Sequence, residues 1–359
     1  MKSLKNISRT QLNSEKLMLL LDTYEQKGKE YYYDKLFEKD ADILFSSTME
    51  EDIYYIGKFF QFDFTDFKLR QWSKKNLQAR NKEEEQFNNY KTVLRRIYRA
   101  GKSFELIHTS IVDLSRLISK NVRKVNVNYR ENHEKNVYST NSRTPLTFDL
   151  EELIRLFYSE IKKQNHETIA LIINFYIDFV NMEIFSSYNE EMGLFLLYAL
   201  LLKHFNVFKY VSFFKYFYQK EQIFKQGILE ANYNWQEGYS SYERLYILFI
   251  DILKDSYQEL REKAHKYELQ TEYQKGEYVR ITILKGPEIF TKQDVREKNP
   301  LASDSTIERI LKSLRDDGHI RPLGTGRSAK WQLVFDNRDF THTQLSFFSE
   351  TDFEYKKSD

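Results

Sequence analysis

Apolar residues recur along most of the chain at the spacing of an α-helix. Between Leu150 and Ile161 they fall at positions i, i+3, i+4 and i+7, which places them on one face of a helix. Residues 169–185 are apolar on nearly all sides, a pattern typical of a helix at the centre of a domain. Residues 245–260 repeat the one-sided pattern. The hydrophobic pattern therefore predicts a mainly α-helical fold.

One short segment departs from this helical spacing. The stretch Val125–Tyr129 alternates apolar and polar residues with a period of two, and polar residues separate it from Val137-Tyr138-Ser139. A period of two is typical of a β-strand whose two faces meet different surroundings. We therefore predict a small β-hairpin near Val125–Tyr138, inside the helical part of the chain.

Proline and glycine divide the chain into regions. The first of 4 prolines is Pro145, and the other three lie between positions 287 and 322. Proline costs about 3 kcal/mol inside a helix and glycine about 1 kcal/mol, so the long proline-free segments suit helices. We expect an N-terminal helical region at 1–90, a helical core at 91–268, a small α+β module at 275–336 and an acidic, aromatic tail at 337–359.

The amino-acid composition excludes several kinds of chemical site. The 359 residues contain no cysteine, which excludes disulfides, thiolate–zinc sites, iron–sulfur clusters and cysteine nucleophiles. The 55 Lys and Arg residues against 53 Asp and Glu give a net charge of +2, so a surface that binds nucleic acid would have to be local. The apolar run 192–202 is too short to cross a bilayer, and the N-terminus has no apolar signal core. We expect a cytoplasmic protein without membrane contact.

The middle of the chain contains a motif between two apolar segments. Residues 179–193 have the sequence FVNMEIFSSYNEEMG, and the apolar run Leu194–Leu202 follows. With Phe185, Asn189 and Gly193 in register, this stretch resembles the signature loop of Fic/Fido-family proteins, H-x-F-x-D/E-G-N-G-R-x-x-R.

The resemblance implies a Fic-like (Fido) helical domain with a hairpin flap that docks a protein target. Most members of that family are adenylyltransferases, which move AMP from ATP to a hydroxyl group. Their motif supplies a histidine base, a glycine-rich turn for phosphate, a carboxylate for Mg²⁺, and arginines that offset the charge of the transferred group. These roles are the ordinary requirements of phosphoryl-group chemistry.

The chain departs from the motif at the positions that carry this chemistry. Side chains in place of the two glycines hinder a tight turn and the close approach of phosphate. Glutamate in place of arginine reverses the charge at an anion site, which changes the interaction by several kcal/mol at about 4 Å. The substituted positions are Glu183 for the histidine, Ser187 for the carboxylate, Tyr188 and Glu190 for the glycines, and Glu191 and Leu194 for the arginines.

These substitutions predict a Fic-like protein with a degenerate nucleotide site, which lacks ordinary AMP transfer and acts as a regulatory or binding protein. On this hypothesis the chain needs no cofactor and holds no metal. The alternative is a Fic-type adenylyltransferase that works through altered residues, with Glu183 at the position of the catalytic base and with ATP and Mg²⁺ as cofactors. A third hypothesis is a structural scaffold for oligomerisation. Only the second requires that ATP binds.

An upstream segment resembles a regulatory element of the same family. Ser46-Ser-Thr-Met-Glu50 matches the family's inhibitory helix, S/T-x-x-x-E, although Glu51 stands where a small residue follows. The resemblance implies that Glu50 enters the nucleotide site. In the family this glutamate pairs with the second arginine of the motif, whose position is Leu194 here, so Glu50 would need another partner. The alternative is an ordinary capped helix with an acidic first turn.

The C-terminal module carries the signals of helices, a turn and a hairpin. Thr291 and Ser303 are good N-cap residues, and Gly318 ends the second helix. Two strands are predicted around Gly324-Thr-Gly326. This order of elements resembles a winged-helix domain, which accompanies many Fic proteins. The predicted buried face of the second helix consists of Ile307, Ile310, Leu311 and Leu314.

A winged helix that binds DNA places one helix in the major groove and its wing on the backbone or minor groove. We therefore predict duplex DNA as a partner. The alternative is a winged helix that mediates protein contact, including a homodimer, because a fold does not determine a function. The predicted DNA contacts are Ser305, Thr306, Arg309 and Lys312 on the exposed side of the helix, and Arg327 and Lys330 on the wing.

Overall fold

The computed structural model describes residues 1–9, 14–131, 143–272, 275–324 and 330–334. The chain forms two compact units, Met1–Glu268 and Leu269–Asp359. The first unit is mainly helical, as the hydrophobic pattern predicts. Its helices are α1 (Ser14–Gly28), α2 (Glu30–Leu36), α3 (Ala41–Phe59), α4 (Asp66–Lys74), α5 (Lys82–Ala100), α6 (His108–Ser119), α7 (Thr147–Lys163), α8 (Thr168–Asn181), α9 (Asn189–His204), α10 (Phe213–Gln219), α11 (Glu221–Tyr233) and α12 (Glu243–Glu272), the last of which continues beyond the first unit.

The helices α8 and α9 form the centre of the first unit. Every residue of α8 from Ile169 to Phe179 is buried, as is every residue of α9 from Met192 to Leu202. The helices approach closely at Gly193, where a Cβ atom would lie 2.7 Å from Cγ2 of Val180 and 3.1 Å from Cε2 of Tyr176. The predicted central helix is confirmed up to Asn181, whereas the apolar residues 184 and 185 belong to the loop that follows it. Among the described residues, no helix combines the length and the hydropathy needed to cross a membrane.

Asp52 joins four helices of the first unit from a fully buried position. Its carboxylate accepts hydrogen bonds from the Ser212 hydroxyl at 2.6 Å, from the Phe214 N–H at 2.9 Å and from the Tyr198 hydroxyl at 2.8 Å. The Tyr98 hydroxyl donates a fourth bond. Burial raises the pKa of Asp52 to about 6, while these donors act in the opposite direction. A buried carboxylate with four donors ties α3 to α5, α9 and the start of α10.

Asp178 performs a similar role for the N-terminal segment. Its carboxylate accepts the backbone N–H groups of Lys2, Ser3 and Leu4 at 2.8, 2.9 and 2.9 Å. The same carboxylate accepts the Trp235 Nε1–H at 2.8 Å. Asp178 therefore fixes both the first residues of the chain and the connection after α11 on the surface of α8.

The predicted hairpin exists, but its strands differ from those expected. Strand β1 (Tyr129–Glu131) pairs antiparallel with β2 (Arg143–Pro145). The residues 137–139, expected to form the second strand, lie outside the described part of the chain. The preceding residues Asn126–Asn128 pair with the motif loop instead, because their backbone groups bond to residues 184–186. The period-two pattern therefore correctly predicted an extended backbone, but it did not show that this segment pairs with the motif loop.

The second unit combines short helices with a three-stranded antiparallel sheet. Two predicted N-caps are confirmed. The Thr291 hydroxyl accepts the Asp294 N–H at 3.1 Å, and the Ser303 hydroxyl accepts the Thr306 N–H at 3.2 Å. The sheet has the strand order β3-β5-β4. The elements are α13 (Lys275–Leu284), β3 (Ile289–Thr291), α14 (Lys292–Lys298), α15 (Asp304–Asp316), β4 (Ile320–Pro322) and β5 (Lys330–Leu333).

One face of this sheet packs on the helices and forms the core of the second unit. The predicted inner face of α15 is confirmed, since Ile307, Leu311 and Leu314 are buried and Ile310 is partly buried against them. Gly318, with φ +78°, follows the end of α15 in the left-handed conformation that a glycine adopts without strain. The remaining buried members of the core are Val279, Ile283, Phe290, Val295, Ala302, Ile320 and Leu333.

Candidate functional site

The motif loop connects α8 to α9 through residues 182–188. Glu183 is exposed and has φ +44°, so it adopts the left-handed conformation that often follows a helix end. Ile184 and Phe185 are 0% and 2% exposed, and they anchor the loop in the core. The loop therefore presents the Glu183 carboxylate to solvent, at the position where the family motif has its histidine.

Asn189, the first residue of α9, closes the loop by bonding back to Phe185. Its Oδ1 accepts the Phe185 N–H at 3.0 Å, and its Nδ2 donates to the Phe185 carbonyl at 2.6 Å. The residue between them in the turn, Tyr188, has φ +65°, and its hydroxyl donates to Oε1 of Gln86 at 2.8 Å. The tight turn therefore forms despite the side chain that was expected to hinder it.

A strand-like segment before the hairpin runs along the motif loop. The Asn128 N–H donates to the Ile184 carbonyl at 2.8 Å, and the Ser186 N–H donates to the Asn126 carbonyl at 2.9 Å. The Asn128 side-chain amide donates to the Glu183 carbonyl at 2.6 Å and to the Phe185 carbonyl at 3.1 Å. These bonds connect the base of the hairpin directly to the loop.

Two carboxylates occupy the first turn of α9. Glu190 is exposed, and Glu191 is half-buried with the Tyr90 hydroxyl 3.4 Å from its Oε1. Burial is the main cause that raises the pKa of Glu191, and the neighbouring charge of Glu190 raises it further. Burial and the nearby Glu191 also raise the pKa of Tyr90. Both glutamates lie where the backbone dipole of the helix favours negative charge.

A single arginine contacts the loop within the described residues. Arg123 Nη1 donates to the Ser187 hydroxyl at 3.2 Å, and the Arg123 side chain is exposed. Leu194, at the position of the second motif arginine, is only 2% exposed and packs in the core. In the described part of the chain, the loop is therefore contacted by one arginine and itself carries three carboxylates, those of Glu183, Glu190 and Glu191.

These residues do not fit a nucleotide triphosphate with Mg²⁺. The N-terminal turn of α9, which could otherwise offer N–H groups to phosphate, carries Glu190 and Glu191. Ser187 offers a neutral hydroxyl at the position where the family motif has the carboxylate for Mg²⁺. Among the described residues, no cluster of three or more histidine, aspartate or glutamate side chains could hold a metal ion.

A comparison with solved structures identifies a similar architecture. The crystal structure of a Fic family protein from Desulfovibrio desulfuricans G20 matches with a TM-score of 0.52, covering 92% of this chain and 98% of that chain. This chain has a Fic-like fold. The sequence identity is 11%, so the match establishes the fold, and the chemistry of the loop rests on this chain's own residues. No protein-family model and no curated protein sequence matches the chain.

Within this Fic-like fold, the segment compared with the inhibitory helix lies inside α3. The helix begins at Ala41, so Ser46 lies in its second turn, is exposed and does not cap it. The alternative of a helix capped at Ser46 is therefore wrong. Glu50 is half-buried, and within the described residues it makes no hydrogen bond or ion pair with the motif loop. Burial raises the pKa of Glu50, against the opposing charges of Lys74, Lys91 and Arg95.

The residues predicted to bind DNA occupy different surroundings in the second unit. Ser305, Arg309 and Lys312 are exposed along one side of α15. Thr306 is half-buried, and its hydroxyl lies 2.8 Å from the Ser303 hydroxyl. Lys330 is exposed at the start of β5, which separates it from the face of α15. Arg327 lies outside the described residues.

Several residues that contact the loop of this Fic-like fold were not expected from the sequence. Asn128 and Arg123 contact the loop from a distant part of the chain, and Tyr90 reaches it from α5. The alternation of asparagine with apolar residues in Val125–Tyr129 was the available signal for Asn128. The buried Asp52 gave no comparable signal, because its donors come from three separate segments.

Two clefts of the first unit lie away from the motif loop. One, of about 390 Å³, lies between α1 and α12 and includes the buried residues Thr23 and Tyr257. The other, of about 250 Å³, is lined by residues of α5, α6 and α9, including Val93, Leu114 and Leu196. Neither cleft is lined by a residue of the motif loop. These clefts therefore belong to the packing of helices rather than to the site.

Proposed function

We propose that this chain is a Fic-fold binding protein that lacks AMP transfer and contacts duplex DNA through α15. The absence of AMP transfer is supported mainly by the pair Glu190 and Glu191 in the first turn of α9. A phosphate group placed at this helix end would meet two like charges instead of open N–H groups. At about 4 Å and an effective dielectric near 20, each such repulsion amounts to several kcal/mol before screening by salt.

The internal bonds of the loop support the same proposal. Asn189 uses both atoms of its amide to hold Phe185, so a ligand would have to compete with the chain for these groups. Glu191 is held by Tyr90, which places its carboxylate near the positive end of α9. The loop thus serves as a structural connection between α8 and α9, and the Glu191 carboxylate takes the place of a bound anion at the start of α9.

Calorimetric titration with ATP and Mg²⁺ tests this half of the proposal. We expect no binding to the wild-type protein at millimolar ATP. The double variant Glu190→Gly and Glu191→Arg removes both carboxylates and adds one cation, so it should bind ATP measurably more tightly than the wild type. ATP binding by the wild type, with transfer of α-labelled AMP that is lost in Glu183→Ala, would show instead that the chain is an adenylyltransferase.

The exposed side of α15 supports the second half of the proposal. Arg309 and Lys312 are exposed and form no ion pair within the described residues, so their charges are available to phosphate. Two acidic neighbours are engaged elsewhere: Glu308 pairs with Lys292 at 2.5 Å, and Asp304 pairs with Arg296. The order of helices and strands supports the proposed winged helix, in which α15 would be the helix that enters the major groove.

A gel-shift assay with duplex DNA over a range of salt concentrations tests this contact. We expect binding that weakens as salt rises, because each phosphate contact releases counterions. The double variant Arg309→Glu and Lys312→Glu should abolish the shift. The matched control is Lys285→Glu, an exposed lysine just beyond α13, which should keep most of it. If the wild type gives no gel shift at low salt, or if Lys285→Glu loses as much of the shift as the double variant, the proposed contact of α15 with DNA is wrong.

A further inference from the structure

The sheet of the second unit has one face that no described element covers. Side chains alternate across the sheet, so Phe290, Ile320 and Leu333 face the helices and are at most 6% exposed. Their neighbours face the opposite way. We call this surface the outer face, and it consists of Ile289, Arg321, Leu323, Lys330, Gln332 and Val334.

The outer face is apolar in part, and its apolar side chains are exposed. Ile289, Leu323 and Val334 are 50%, 48% and 44% exposed. Single exposed aliphatic side chains are ordinary, but these three share one small sheet. Because strands are spaced by about 4.8 Å and rise about 3.3 Å per residue, the whole face measures roughly 10 by 13 Å. Apolar side chains gathered on such a face favour an occupant that brings apolar side chains of its own.

Polar groups on the outer face are already ordered. Arg321 donates from Nε and Nη2 to Oε1 of Gln332 at 2.9 and 2.7 Å, and Nε2 of Gln332 donates to Oε1 of Glu288 at 2.8 Å. Arg321 and Lys330 form no ion pair within the described residues. The face therefore combines aliphatic side chains with two cations, one of which is held in place before any partner arrives.

The chain leaves the sheet at the centre of this surface. Strand β5 lies between β3 and β4, and Val334 follows its last residue. The C-terminal segment, residues 335–359, continues from there with six acidic and three basic residues. Its apolar side chains include Phe340, Leu345 and the adjacent pair Phe347 and Phe348. The segment is long enough to reverse direction after Val334 and return across a surface of about 13 Å.

We propose that the C-terminal segment folds back over the outer face of its own sheet. In this arrangement Phe347 and Phe348 cover Ile289, Leu323 and Val334, and the acidic residues that follow lie near Arg321 and Lys330. Two observations favour this segment over a second copy of the chain. The segment begins on the face itself, which gives it a high effective concentration, and its negative charge complements the cations of the face. This inference does not depend on DNA binding.

The absence of cysteine from the chain allows a direct test in the full-length protein. One variant carries Ile289→Cys on the outer face and Ser349→Cys beside the phenylalanine pair. Its control carries Ser305→Cys, exposed on α15, with the same Ser349→Cys. Oxidation is followed by non-reducing gel and by mass spectrometry of the linked peptides. We expect the intrachain disulfide to form roughly tenfold faster in the first variant, since both share the same tether.

Three further experiments test the contacts of the segment and distinguish it from a second copy of the chain. Adding Phe347→Ser and Phe348→Ser should remove the rate advantage without altering the sheet, and Arg321→Glu should reduce it. Equal rates in the test and control pairs would overturn the proposal, because the segment would then sample both surfaces alike. A disulfide between two chains of the single variant Ile289→Cys, formed faster than any intrachain bond in the pair, would assign the outer face to a second copy instead.

Discussion

Asn189 and Phe185 hold each other across the motif loop through two hydrogen bonds of opposite direction. The side-chain Oδ1 accepts the backbone N–H at 3.0 Å, and the side-chain Nδ2 donates to the backbone carbonyl at 2.6 Å. This arrangement reproduces the exchange of bonds within a β-ladder by means of one amide side chain. It also explains how the turn forms with a tyrosine, Tyr188, in the left-handed conformation.

We expect Asn189→Ala to loosen the motif loop without unfolding the protein. The variant removes the acceptor of the Phe185 N–H and one of two donors to the Phe185 carbonyl, which keeps its bond from Asn128, and this loss should cost about 1–3 kcal/mol. Hydrogen exchange followed by mass spectrometry should show faster exchange in residues 183–188. The control is Asn88→Ala, which removes one amide–carbonyl bond, 3.1 Å to Leu77, at the other side of α5. Unchanged protection of the loop in Asn189→Ala would contradict the prediction.

Gly193→Ala should destabilise the packing of α8 on α9. The new Cβ would lie 2.7 Å from Val180 and 3.1 Å from the Tyr176 ring, so both helices must shift. Overpacking of this kind costs about 1–3 kcal/mol, more than the gain of about 1 kcal/mol from replacing glycine in a helix. Gly28→Ala is the matched control, because its Cβ would meet no atom within 4 Å. Chemical denaturation measures both, and equal stabilities would refute the packing argument.

The stability of the protein should depend on pH through Asp52. Burial raises its folded pKa to about 6 from an ordinary value of 3.8, so the folded state keeps a proton that the unfolded state releases. Stability therefore falls as pH rises from about 4 to about 6. Relative to Asp52→Asn, the wild type should lose of the order of 2 kcal/mol across this window. Denaturant midpoints at several pH values test this.

A surface variant serves as the control for that pH dependence. Glu230 is exposed on α11 and forms a surface ion pair with Arg244, which contributes little to stability, so Glu230→Gln should show nearly the same pH dependence as the wild type. A constant difference between the wild type and Asp52→Asn over the whole window would mean that Asp52 does not change its protonation on folding.

Asp178→Ala should release the N-terminal segment from α8. The substitution removes the acceptor of four N–H groups, three of which belong to Lys2, Ser3 and Leu4. We expect a loss of stability of about 2–4 kcal/mol, since buried donors without partners are costly. Limited proteolysis should cleave the first nine residues sooner than in Asp22→Ala, an exposed aspartate of α1. Equal cleavage in both variants would argue against this anchor.

The helical fold and the motif region were predictable from local patterns in the sequence. The apolar spacing of residues 150–161 and 169–185 is a local property, and helix caps such as Thr291 and Ser303 act within three residues. The register of Phe185, Asn189 and Gly193 was visible for the same reason. Each of these features can be predicted from the sequence because the residues that cause it lie within one or two helical turns of each other.

The parts that could not be predicted depend on contacts between distant segments. Asp52 is an acidic residue in a helix, where an exposed position is the ordinary expectation, and its partners Tyr98, Tyr198 and Ser212 lie far away in the sequence. The pairing of Asn126–Asn128 with the motif loop joins segments more than fifty residues apart. The pattern Ser46-x-x-x-Glu50 is compatible with a helix start, whereas the helix begins at Ala41, a boundary that this pattern does not reveal.

The two glutamates at the start of α9 have a thermodynamic consequence for any anion that approaches the loop. A dissolved phosphate loses translational and rotational freedom on binding, whereas Glu190 and Glu191 are covalently attached and lose none. Each carboxylate thus acts as a tethered competitor whose local concentration cannot be diluted or dialysed away. An added anion would therefore have to overcome a repulsion that is built into the chain, and that only protonation or salt can weaken.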